Sequence, residues 1–137
     1  MDQLEFFRHV IRILHGSSLE YMVVGSFASG FWGEPRATYD VDVVIALDES
    51  DVPRLAELFP PREFYCSDQA ARQAIRRRFQ FNIIHPASGN KIDLMVPGND
   101  PWGRVQLSRR RLEQFEPGLE VYVAAPPHLT LRRLRDP

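Results

Sequence analysis

Two aspartates, Asp40 and Asp42, stand two residues apart in a run whose other members are Val41, Val43, Val44 and Ile45. Alternate side chains of a strand share a face, so on a strand both carboxylates point the same way, with Cα atoms roughly 6.5 to 7 Å apart. Asp93 repeats the oddity, an acid set between Ile92 and Leu94 in a second apolar run. If the two strands are neighbours, three acids converge. Two unit charges ~4 Å apart repel by about 4 kcal/mol at an effective dielectric near 20, so such a cluster calls for a cation. Hard Mg²⁺ suits carboxylate and phosphate oxygens and keeps waters, with Mn²⁺ as the alternative ion. Two such ions ~3.5 to 4 Å apart clamp attacking and leaving oxygens in phosphoryl or nucleotidyl transfer. The expected substrate is a nucleoside triphosphate. Taken alone, Asp40 and Asp42 read equally well as solvated acids at a strand end.

The turn Gly25-Ser26 weighs against that plainer reading. Gly lets the backbone approach a phosphate, and the start of a following helix offers free N–H groups and a favourable dipole. Ser26 adds a hydroxyl donor, although by itself it is as well explained as a helix cap. Gly30 is followed by Phe31 rather than Lys, which excludes a P-loop, and the dinucleotide-binding GxGxxG is absent too.

These residues need elements to position them. Leu4, Phe7, Val10, Ile11 and Leu14 recur at three- and four-residue intervals between Asp2, a candidate cap, and Gly16, which predicts an amphipathic opening helix. Residues 21–24 read as a short strand, and Ser26 as the cap of a helix to about Phe31 or Trp32, broken by Gly33, Glu34 and Pro35. Residues 40–47 read as a largely buried strand, and Ser50 as the cap of a helix over 51–59 that Pro60 and Pro61 end. A short strand is expected over 63–66, and a helix rich in alanine and arginine after Ser67. Residues 79–85 and 91–96 should pair antiparallel across the loop from Pro86 to Asn90. An arginine-rich helix is expected from Asp100 or Pro101 to about Phe115, and a last strand over 120–124 before a basic tail. The fold class this implies is α/β (α+β), a mixed β-sheet flanked by helices.

At 137 residues the chain supports one core, so residues 1–137 read as a single domain. A net charge of −1 argues against gripping nucleic acid over the whole surface, while leaving room for a local basic face. Lone Cys66 cannot form an internal disulfide, and no apolar stretch approaches the roughly twenty residues that cross a bilayer. A soluble protein of the reducing cytoplasm is expected, with no membrane partner.

Taken together, Val24-Gly25-Ser26, the stretch Gly33-Glu34-Pro35-Arg36-Ala37-Thr38-Tyr39-Asp40-Val41-Asp42, and Lys91-Ile92-Asp93-Leu94 resemble the DNA polymerase β-type nucleotidyltransferase superfamily. The likeness covers most of the chain. The Pro-Arg-x-Thr-x-Asp-x-Asp stretch and the strand Phe79-Gln80-Phe81-Asn82-Ile83-Ile84-His85 are most similar to bacterial nucleotidyltransferases related to the AbiEii toxins of abortive-infection and toxin–antitoxin systems. The resemblance implies that Asp40 and Asp42 hold Mg²⁺ and that Asp93 is the third acid, assisting the acceptor hydroxyl. It implies that Gly25 and Ser26 hold the triphosphate, with Arg36 and Thr38 also binding nucleotide. An NMP would move from an NTP to tRNA, another RNA or a protein, and a cognate toxin or antitoxin is an implied partner. Members of that group commonly continue past the strand matching Val121-Tyr122-Val123-Ala124 into a Pro-x-x-Leu-x-x-x-Lys-Leu helix and further helices. Here Arg132 and Arg133 stand in that region and the chain stops at Pro137, so most of a C-terminal helical extension is expected to be missing.

Two other readings compete. A degenerate nucleotidyltransferase fold would bind nucleotide or a partner protein without turnover, and an acid-cluster nuclease would leave Gly25-Ser26 unexplained. Arg76 to Arg78, and Arg104 with Arg109 to Arg111, read as solvated helix faces that are also candidates for an acceptor path. His9, His15, His85 and His128 lack metal-ligand spacing, and Cys66 lacks a neighbouring base, so these read as structural. Trp32 and Trp102 read as packing residues.

Overall fold

The structure of the protein, a computed structural model, describes residues 2–24, 41–97 and 101–125, with the side chains of Pro101 and Trp102 outside that set. The opening helix α1 spans Gln3–Gly16, and the Asp2 carboxylate accepts the Glu5 N–H at 2.7 Å as its cap. Phe6, Phe7, Val10, Ile11 and Leu14 form its buried stripe. Each such side chain contributes about 1.5–3 kcal/mol when fully buried. Gly16 is the last helical residue, and the stop is made by Ser17: its hydroxyl donates to the Leu14 carbonyl at 2.6 Å and accepts the Leu19 N–H at 3.1 Å.

Strand β1, Tyr21–Val24, runs antiparallel to β2, Val41–Ile45, with Tyr21 opposite Ile45 and Val24 opposite Asp42. A 3-10 turn, Glu49–Asp51, then leads into α2, Val52–Leu58. Here the expected cap at Ser50 is corrected. Ser50 lies inside the turn, the cap position of the turn is Asp48 and that of α2 is Asp51, and the Asp51 carboxylate accepts the Asp48 N–H at 2.8 Å. The strand expected over 63–66 is also corrected. The Pro60-Pro61 corner and the Ser67 cap leave room for an isolated bridge at Tyr65, which exchanges N–H···O bonds with Ile84. Helix α3, Asp68–Arg77, does start at Ser67, whose hydroxyl accepts the Ala70 N–H at 3.1 Å.

Strands β3, Gln80–His85, and β4, Asn90–Met95, form the expected antiparallel hairpin, its loop closed by Gly89 at φ 75°. The long arginine-rich helix is corrected. Helix α4 spans only Pro101–Ser108, and a strand, β5, Arg111–Glu116, takes up the rest and pairs antiparallel with β6, Leu119–Val123. Pro117 and Gly118, the latter at φ 81°, occupy the corner. A positive φ there is what glycine supplies without steric cost.

The described strands make one six-stranded mixed sheet in the order β3-β4-β2-β1-β6-β5. Alternation in β2 sends Val41, Val43 and Ile45 to one face, where they join Ile92 and Leu94 of β4 and the stripe of α1 in the main core. Val52 and Leu55 of α2, with Ala71 and Ala74 of α3, complete that side. Met22 and Leu107 are buried outside this cluster, and strand alternation turns Met22 to the sheet face opposite Val23. Among the described residues no helix is long and apolar enough to cross a membrane.

Candidate functional site

The order β4-β2-β1 brings the sequence-distant acids together. Strands β2 and β4 are parallel, and in their register Asp42 stands directly opposite Asp93. Neighbouring strands lie about 4.8 Å apart, so the two carboxylates rise side by side from the same sheet face. That face is the one turned away from the main core: Val41, Val43, Ile92 and Leu94 are buried, whereas Asp42 and Asp93 are half-buried. The register extends the rank on both sides. Val24, at the end of β1, is opposite Asp42, and Asn82 of β3 is opposite Asp93. A line Val24–Asp42–Asp93–Asn82 thus crosses four strands.

Like charges directly opposite one another on a sheet are unfavourable. The donor set of this rank is made of oxygens, two carboxylates and one amide carbonyl, with no sulfur or imidazole. Such a set fits a hard divalent cation and not a soft one. Among the described residues no group of three acid, His or Cys ligands comes together. The remaining expected acid, Asp40, lies outside the described residues, as do Gly25, Ser26, Arg36 and Thr38. His128 and Trp32 lie outside them as well, and the helix expected after Ser26 does too.

Asn82 is the residue of this rank that sequence reasoning overlooked as part of a site. Its signal was period-two alternation, with Phe81 and Ile83 turned to the core while Gln80 and Asn82 are exposed.

The remaining candidates fall to structural roles. His9 stacks on Phe64 with ring centroids 5.8 Å apart, and His85 meets the Ser88 hydroxyl at 2.7 Å. His15 Nδ1 lies 3.1 Å from the Tyr21 hydroxyl, which also accepts the Tyr122 N–H at 3.3 Å. Burial pushes the Tyr21 hydroxyl up to about 12. Burial, with Asp68 adding to it, pushes the Cys66 thiol up to about 11, the opposite of what a nucleophile needs.

The arginines divide. Arg76 pairs with Glu49 at 2.8 Å on the surface. Arg109 to Arg111 do not form a solvated helix face: Arg110 lies over the Tyr122 ring, 4.2 Å from its centroid, and Arg111 opens β5. Arg78 and Arg104 line a cleft of about 490 Å³. That cleft is not at the acids. On the β2 segment its lining begins at Ala46, four residues beyond Asp42, or roughly 13 Å along the strand.

No protein-family model matches the chain, and no curated protein matches it. Among solved structures the chain is similar to an antigenic nucleotidyltransferase-like protein from Paracoccidioides brasiliensis, with a TM-score of 0.55 at 22% identity. The superposition covers 96% of this chain and 64% of that one, so the chain spans just under two thirds of its length. The protein has a nucleotidyltransferase-like fold, a mixed α/β sheet flanked by helices.

Proposed function

We propose that the protein is a metal-dependent nucleotidyltransferase, moving a nucleoside monophosphate from an NTP to an acceptor hydroxyl on RNA, tRNA included, or on protein. The observation that carries this reading is the register of Asp42 against Asp93 on a nucleotidyltransferase-like sheet.

Asp42, with Asp40 and Asp93, would hold Mg²⁺ or Mn²⁺, which neutralises charge building on the phosphate oxygens. Asp93 takes up the proton of the acceptor hydroxyl as that oxygen bonds to the α-phosphorus. The bond from the α-phosphorus to the bridging oxygen breaks, and pyrophosphate departs. Gly25 and Ser26 bind the triphosphate through backbone N–H groups and a hydroxyl, and Arg36 and Thr38 add contacts to it. Asn82, beside Asp93 on the outer flank, orients that carboxylate or the incoming hydroxyl. Positioning and fixed charge supply most of the acceleration.

The Pro35-Arg36-x-Thr38-x-Asp40-x-Asp42 stretch further supports kinship with AbiEii-type proteins, a cytoplasmic setting and a toxin–antitoxin or phage-defence role. Incubation with each α-labelled NTP, Mg²⁺ and bacterial RNA tests the proposal. Label transfer by the wild type should fall at least a hundredfold in Asp42→Asn; undiminished transfer in the variant sinks the mechanism.

A further inference from the structure

The cleft at the far end of the sheet has its own logic. Strands β2 and β4 are parallel neighbours, so both leave the sheet at the same end. The chain then diverges, from β2 into the 3-10 turn and from β4 toward α4, and a crevice opens beyond the carboxyl ends of the two strands. Its volume of about 490 Å³ lies within the usual range for small-molecule sites. Leu47, Val96 and Leu107, all buried, give it an apolar floor.

The charges around it are unevenly committed. Asp48 and Asp51 are locked in a reciprocal capping box, and Glu20 faces Arg110 at 3.7 Å. The Arg78 side chain, by contrast, makes no hydrogen bond or ion pair with any other described residue, and Arg104 is the second arginine in the lining. Arg78 also closes α3 in the left-handed conformation, φ 55° and ψ 55°. Glycine is the usual residue at that position because a β-carbon is disfavoured there. A bulky cation thus occupies a position where glycine would fold more easily, and that residue lines a cleft whose acids already hold a hydrogen bond or an ion pair.

We infer that this cleft is a second ligand site, separate from the carboxylate rank, that takes a phosphate monoester of nucleotide size. Arg78 and Arg104 fork onto the phosphate and the apolar floor receives the base. The phosphate belongs to a free mononucleotide or to the 5′ end of an RNA strand, which offers the same chemistry.

The test is titration calorimetry with thermal shift in EDTA, which removes metal-dependent binding at the acids, using AMP, a 5′-phosphorylated RNA trinucleotide and adenosine. Wild type and Asp42→Asn should bind AMP or the trinucleotide alike, and adenosine far more weakly. The tighter of the two phosphorylated probes identifies the source. Arg78→Gly should weaken that binding about tenfold to a hundredfold, the loss of a charge-assisted pair. Its ligand-free melting temperature should match or exceed the wild type's, and Arg78→Lys should fall between. Binding of neither phosphorylated probe, equal binding by Arg78→Gly, or loss of binding in Asp42→Asn would overturn the inference. Binding in EDTA leaves the nucleotidyltransferase reading untouched, because that reading fails or stands on metal-dependent transfer alone.

Discussion

Asp42 and Asp93, fifty-one residues apart in the chain, are direct register partners on the parallel strands β2 and β4. The pairing is a property of the backbone ladder, since shifting either strand by one residue would turn its acid into the core and its Val43 or Leu94 out of it. The burial pattern fixes the register, and the register in turn sets the two acids side by side.

A first consequence concerns stability without metal. Like charges opposite one another cost roughly 0.2–1 kcal/mol on a sheet, so Asp93→Asn should raise the unfolding free energy measured by urea denaturation in EDTA by that order. Mg²⁺ should then stabilise the wild type and leave the variant nearly unchanged. A variant less stable than the wild type in EDTA would mean that the pair is held by something other than a cation.

Asn82 separates packing from chemistry. It is exposed, so Asn82→Ala should alter stability by no more than about 0.5 kcal/mol. Its place beside Asp93 implies a loss of about tenfold or more in label transfer, with binding of the NTP little affected. An unchanged transfer rate would remove Asn82 from the site.

The pH dependence follows from two acids, the buried Tyr21 and the half-buried Cys66, that stay neutral in the fold. Tyr21 is pushed up to about 12 from 10.0, and Cys66 to about 11 from 9.0, burial being the main cause of each. A raised folded value means that the contribution is fully present below the ordinary value and is lost as pH climbs through the folded one. The urea midpoint should therefore be unaffected by these groups below about pH 9 and fall through the window to about 12. Tyr21→Phe should lose about 1 kcal/mol at neutral pH, for its bonds with His15 and the Tyr122 N–H, yet show a shallower alkaline fall. Cys66 should react with a disulfide reagent at pH 8 at least tenfold more slowly in the folded chain than in urea.

How much of this was legible in sequence depended on periodicity. Helix α1, strand β1 and the β3–β4 hairpin were legible because the stripe Phe7, Val10, Ile11, Leu14, the run at 21–24 and the alternation about Phe81 and Ile83 are strong and locally bounded. Acids placed inside apolar runs likewise marked Asp42 and Asp93. Strand β5 was missed because it is an edge. Arg111, Leu112 and Gln114 are exposed, so no burial pattern marks the segment, and Leu, Glu and Gln are good helix formers. Pro117-Gly118 was the available signal for the hairpin. The cap at Asp48 was hidden by the short 3-10 turn ahead of α2. Asn82 and the cleft at Arg78 needed the strand order, which local sequence does not encode.

The most direct test of the central claim is thermal shift of the wild type and the Asp42→Asn/Asp93→Asn double variant with each NTP, with and without Mg²⁺. The account predicts a Mg²⁺-dependent rise in melting temperature for at least one NTP in the wild type and none in the double variant. An equal Mg²⁺-dependent rise in both proteins, or none in the wild type with any NTP, would contradict it.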